Sequence, residues 1–83
     1  MPTPQEIFGR IDKLIDGWCE RRALGPLRQI LRSYPLVSGL TDDWGELLNS
    51  LKDIRVACKD ALKDDEATEV IELIRIVEKI VYR

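Results

Sequence analysis

Apolar residues recur every three or four positions through four segments of this chain, and no segment alternates with the period of two that marks a strand. This repeat restricts the chain to helices that bury one face. We expect helices over about 4–20, 22–34, 42–62 and 66–82. Short connections between them predict an all-α fold, an antiparallel up-down four-helix bundle that occupies residues 1–83 as a single helical domain.

Local signals support these boundaries. Thr3 and Glu6 form the sequence pattern of a capping box around Pro4, and Pro35 stops the second helix. A break at 25–26 would shorten that helix further. We expect its core stripe to comprise Ala23, Leu24, Leu27, Ile30, Leu31 and Tyr34.

We expect the two tryptophans and the two cysteines to be core residues of the bundle. Trp18 and Trp44 each lie on an apolar stripe and are predicted to anchor the core. Cys19 and Cys58 lie on helices that are diagonal in an up-down bundle, too far apart for a disulfide. We expect both thiols to be free.

Composition excludes several classes of function. The chain has 13 basic and 15 acidic residues, a net charge of −2, so nucleic acid is not an expected partner. It has no histidine, which removes the usual catalytic base and the usual zinc ligands, and its five glycines form no phosphate loop. No apolar run is long enough to span a membrane, and the amino terminus lacks a signal-peptide pattern, so we expect a cytoplasmic protein without a cofactor or membrane partner.

Carboxylates recur at helical spacing on two helices, as Asp12, Asp16 and Glu20 on the first and Glu66, Glu69 and Glu72 on the fourth. The second run resembles the ExxE element of the all-α nucleotide pyrophosphohydrolases, whose paired acidic helices hold magnesium against a triphosphate. That family has a further ExxD-type element, whereas here only one glutamate follows. The resemblance implies a magnesium-dependent hydrolase assembled across a dimer, with the candidate metal ligands Asp12, Asp16, Glu66, Glu69 and Glu72. The favoured interpretation is that these acidic edges are solvated faces that pair with lysines and arginines.

Arginines form a basic edge on the second helix, at Arg21, Arg28 and Arg32. One interpretation is a nucleic-acid or phosphate site made by these three residues. We favour ion pairs with the acidic edge of the first helix, which would fix the hairpin between helices one and two.

Helix four carries more apolar surface than a bundle core uses, because its large apolar residues cover an arc of about 220°. Ile71 and Ile76 lie at the two edges of this arc, and we expect one of them to be exposed in the monomer. Arg55 lies within the apolar stripe of helix three, where it must either reach the solvent past a neighbouring helix or enter a subunit contact. The predicted interface residues are Ile71, Ile76, Ile80, Tyr82, Leu36, Val37, Leu40 and Arg55.

These patterns favour a small non-enzymatic interaction protein that forms a homodimer through helix four. A competing interpretation is that the loop at 36–40 and Tyr82 cover the surplus apolar surface within one chain. A second is a small acidic inhibitor of the immunity or antitoxin type, which shares the size and the charge and binds another protein.

Overall fold

The computed structural model describes residues 3–34 and 41–82. Over these residues the chain forms four α-helices and one 3₁₀ turn, and no strand. The helices are α1 (Pro4–Arg21), α2 (Leu24–Leu31), α3 (Thr41–Ala57) and α4 (Asp64–Val81), with the 3₁₀ turn at Lys59–Ala61. The predicted all-α four-helix fold is confirmed.

The start and end of α1 follow from local chemistry. The Glu6 amide donates to the Thr3 hydroxyl at 3.2 Å, and the Thr3 amide donates to Glu6 Oε2 at 3.3 Å, which completes the predicted capping box. Arg22 ends the helix in the left-handed conformation, with φ at 56°. The next amide, of Ala23, donates to the Trp18 carbonyl at 2.8 Å, so α2 begins almost at once.

Two helix boundaries differ from those predicted. The second helix was expected over 22–34, but it occupies Leu24–Leu31, because the left-handed Arg22 cannot belong to a helix and the chain turns after Leu31. The third was expected to reach residue 62, but α3 ends at Ala57 and the 3₁₀ turn follows. The last part of its apolar pattern therefore belongs to the connection to α4.

The core receives residues from all four helices, and α4 packs mainly against α3. Trp18 is fully buried, and Trp44 is 7% exposed and stacks on Phe8 with ring centroids 5.4 Å apart. The predicted burial of both tryptophans is confirmed. The buried apolar side chains are Ile7, Ile11, Leu14, Trp18, Ile30, Trp44, Leu47, Leu48, Leu51, Ile54, Val70, Leu73, Ile74 and Val77.

Both cysteines are free thiols, as predicted, but the expected place of Cys19 in the core was wrong, because it is exposed; Cys58 is half-buried. Burial raises the pKa of the Cys58 thiol, and the nearby charge of Asp53 raises it further. Among the described residues, no helix has the length and apolar character that crossing a membrane requires.

Candidate functional site

An open groove with an apolar floor lies where the end of α3 meets the first half of α4. It has a volume of about 540 Å³ and is lined by Arg55, Val56, Lys59, Leu62, Ala67 and Ile71. We call it the Ile71 groove. Val56, on its rim, is 80% exposed, which is the largest exposure among the large apolar side chains described. Apolar surface left open in this way is typical of contact sites.

The chain builds this groove because α3 ends early. Ile54 is fully buried, so the next two residues, Arg55 and Val56, face outward on the last turn of the helix. On α4, Ala67 and Ile71 are one turn apart and lie on the side next to α3. The small Ala67 side chain leaves room that a larger residue would fill.

The structure separates the two edges of α4 that the sequence could not distinguish. Ile71, Ile76 and Ile80 are all half-buried, so the expectation that Ile71 or Ile76 would be exposed was wrong. Ile76 and Ile80 pack against the core, whereas Ile71 lines the groove. Tyr82 is 67% exposed, and its ring centroid is 5.9 Å from Lys52 Nζ. The other predicted interface residues, Leu36, Val37 and Leu40, lie outside the described residues.

Arg55 is exposed, and among the described residues no carboxylate lies within ion-pair distance of it. Its predicted place inside a long apolar stripe was wrong, because α3 ends at Ala57 and no longer has a core face beyond Ile54. In one copy of the chain Arg55 reaches the solvent beside the Ile71 groove, a position that fits either of the two outcomes expected for it.

The carboxylates of α4 bind arginines of α1. Arg10 donates from Nε to Glu69 Oε2 at 2.7 Å and from Nη2 to Glu72 Oε2 at 2.6 Å. The hydrogen bond from Arg10 holds the pKa of Glu69 below its ordinary value, and the same bond raises the pKa of Arg10. Farther along α1, Arg21 pairs with the buried carboxylate of Glu66.

These contacts correct the pairing expected from sequence. We expected Arg21, Arg28 and Arg32 to pair with the acidic edge of α1, but Arg21 pairs across to α4 instead, and Arg32 donates to the neutral Gln29 at 3.3 Å. Asp12 accepts a hydrogen bond from the Tyr34 hydroxyl at 2.8 Å. Burial is the main cause that raises the pKa of Tyr34 to about 12, and the hydrogen bond to Asp12 also contributes.

The five carboxylates proposed as magnesium ligands therefore do not form one cluster in the described part of the chain. Within residues 3–34 and 41–82, no three His, Cys, Asp or Glu side chains come together as a metal site requires. Asp16 is exposed on α1, while Glu66, Glu69 and Glu72 face arginines. An arginine beside each glutamate occupies the position that a cation would need.

The outer face of α2 is a second unusual surface, and sequence reasoning missed it. Leu24 and Leu31 were assigned to the core, but they are 55% and 52% exposed. The buried residues of α2 are Pro26 and Ile30, which lie on the opposite side of the helix. A helical wheel centred on these two residues alone would have placed both leucines outside.

Comparison with protein-family models, with curated proteins and with solved structures found no match for this chain.

Proposed function

We propose that this protein is a small, non-enzymatic interaction protein that self-associates through α4, with the Ile71 groove as the contact. The observation that carries the proposal is the open apolar groove with Val56 exposed on its rim. Val56 would gain roughly 1.5–3 kcal/mol if a partner covered it completely, and Ile71, which is already half-buried, would gain less. The absence of histidine from the sequence supports a non-enzymatic role.

The charges of α4 favour a second copy of the chain as the occupant. Its first turn carries the exposed Asp64 and Asp65, and its second half carries the exposed Arg75 and Lys79. The one acidic residue of that second half, Glu78, lies 4.0 Å from Lys52 of α3. If two copies of α4 pack antiparallel, the acidic start of each helix lies opposite the basic half of the other. A parallel arrangement would instead bring like charges together.

Two-fold symmetry makes this contact self-complementary. In our arrangement the axis passes close to Ile71, so each copy offers the same apolar centre and the same charged surroundings to the other. Arg55 and Lys59 then lie at the rim, where an interface is normally polar and solvent-accessible. Such a contact gives so short a chain a larger buried surface than one copy has.

Sedimentation velocity tests the proposal with single substitutions in the groove. We expect the parent chain to be a dimer at micromolar concentration. Val56→Glu and Ile71→Glu should each raise the dissociation constant at least about tenfold, because each places a charge in an apolar contact. Val56 is exposed, so its variant should keep the helical circular dichroism of the parent.

Leu24→Glu is the matched control, because it adds the same charge at an exposed leucine on another helix. It should sediment as the parent does. A parent chain that remains monomeric at about 100 μM, or a dimer that both groove variants leave intact, contradicts the proposal.

A further inference from the structure

The solvent-facing side of α2 carries exposed leucines beside arginines, whereas the outer surface of a small bundle is normally polar. Leu24, Arg28 and Leu31 are spaced by four and three residues, so they lie on one face. Both leucines are more than half exposed, and Pro26 and Ile30 on the opposite face are buried. A helix that is apolar on the core side and on the solvent side has a second surface to cover.

The charged residues of this segment of the sequence are all basic, although Arg32 also lines a cleft with Glu46 and Asp53 of α3. From Arg21 to Leu40 the sequence has four arginines and no acidic residue, although the whole chain is acidic. Arg21 is neutralised by Glu66. Of the part of the chain that the structure describes, Arg22, Arg28 and Arg32 have no carboxylate within ion-pair distance.

We propose that this α2 face, formed by Leu24, Arg28, Leu31 and Arg32, binds an acidic amphipathic helix of a different protein. The two leucines are seven residues apart, about 10 Å along the axis, which matches apolar residues at i and i+7 of a facing helix. Glutamates or aspartates beside those residues would pair with the arginines. This binding is independent of the proposed self-association, which uses α4.

Other occupants fit the α2 face less well. A symmetric contact with a second copy would place Arg28 against its own equivalent. A single-stranded nucleic acid site uses aromatic side chains on which bases stack, and none lies between the arginines of α2. A membrane surface attracts basic amphipathic helices, but they are commonly longer than the 8 residues of α2.

The probe is a designed 18-residue helical peptide with leucines at i, i+3, i+4 and i+7 and glutamates at the flanking positions. We expect saturable binding, with nuclear magnetic resonance shifts confined to α2 and its neighbours. A peptide with glutamine in place of glutamate should bind at least about tenfold more weakly, and added salt should weaken only the acidic peptide. Phosphatidylserine vesicles and a single-stranded RNA oligonucleotide test the other partner classes.

Variants on the exposed face test the surface without disturbing the core. Leu24→Gln and Leu31→Gln should each weaken binding of the acidic peptide by about tenfold, and Arg28→Glu should weaken binding and reduce its salt dependence. Lys13→Glu, an equal change of charge on α1 and outside both proposed contact surfaces, should leave this binding unchanged. The inference is overturned if the acidic peptide causes no saturable shift in α2, if both peptides bind equally, or if only vesicles or RNA shift these residues.

Discussion

Trp18 places an indole N–H inside the core, where no described group accepts a hydrogen bond from it. A buried unpaired donor costs about 1–3 kcal/mol, so this large side chain stabilises the bundle by its volume and loses part of that gain through its nitrogen. We expect Trp18→Ala to lower the free energy of unfolding by about 3–5 kcal/mol. Trp18→Phe should cost much less, because it removes the unpaired N–H while it keeps a large ring. Urea denaturation measures both, and equal losses in the two variants would contradict this explanation.

Single residues show where sequence reasoning reached its limit. The burial of Trp18 and Trp44 was predictable, because both lie at the centre of an apolar stripe. The exposure of Leu24 and Leu31 could not be predicted. On a short helix, apolar residues on the solvent-facing side have the same spacing of three and four as those that face the core. The packing of the neighbouring helices decides which side of such a helix faces the core.

Two neighbouring helices, α1 and α4, are joined by the contact of Arg10 with Glu69. Because the folded state lowers the pKa of Glu69, the pair stabilises the fold above the unfolded pKa, and this stability is lost as the pH falls through the folded pKa. We expect carbon nuclear magnetic resonance of the Glu69 carboxyl to give a pKa below the ordinary value, and Arg10→Gln to return it to that value.

The same variant should unfold more easily than the parent at about pH 7 and should approach the parent's stability as the pH falls through the lowered, folded-state pKa of Glu69, because the carboxylate then becomes protonated in both states. Arg28→Gln is the control, because Arg28 is exposed on α2, outside the proposed self-association contact, and no described carboxylate pairs with it. A Glu69 pKa that Arg10→Gln leaves unchanged would show that the contact is not formed in solution.

At the scale of elements, the presence of four helices could be predicted from the sequence. The residues at which the helices end, and the helices between which ion pairs form, could not. The early end of α3 at Ala57 had no breaker residue to announce it, since Arg55, Val56 and Ala57 are all compatible with a helix. The pairing of Arg21 with α4 depends on which helices adjoin, which the charge pattern of one helix does not encode.

The whole molecule joins two surfaces of different character, the Ile71 groove on α3 and α4 and the basic face of α2. The all-α fold followed from periodicity, and the excess apolar arc of α4 identified Ile71 and Ile76 as the candidate edges. Distinguishing them required the tertiary structure, because both are half-buried, but Ile71 lines the groove between α3 and α4 while Ile76 packs against the core. The self-association through α4 that the sequence suggested stays a prediction.

Cysteine cross-linking tests the central claim, self-association around Ile71, most directly. The two native thiols are first removed by Cys19→Ser and Cys58→Ser, and Ile71→Cys or Leu24→Cys is added to that chain. A disulfide needs Cα atoms within about 7 Å, so only residues near the two-fold axis can be bridged. We predict that oxidation converts the Ile71→Cys chain to a covalent dimer at micromolar concentration and leaves the Leu24→Cys chain monomeric. An Ile71→Cys chain that stays monomeric, or cross-links no faster than Leu24→Cys, would contradict the account.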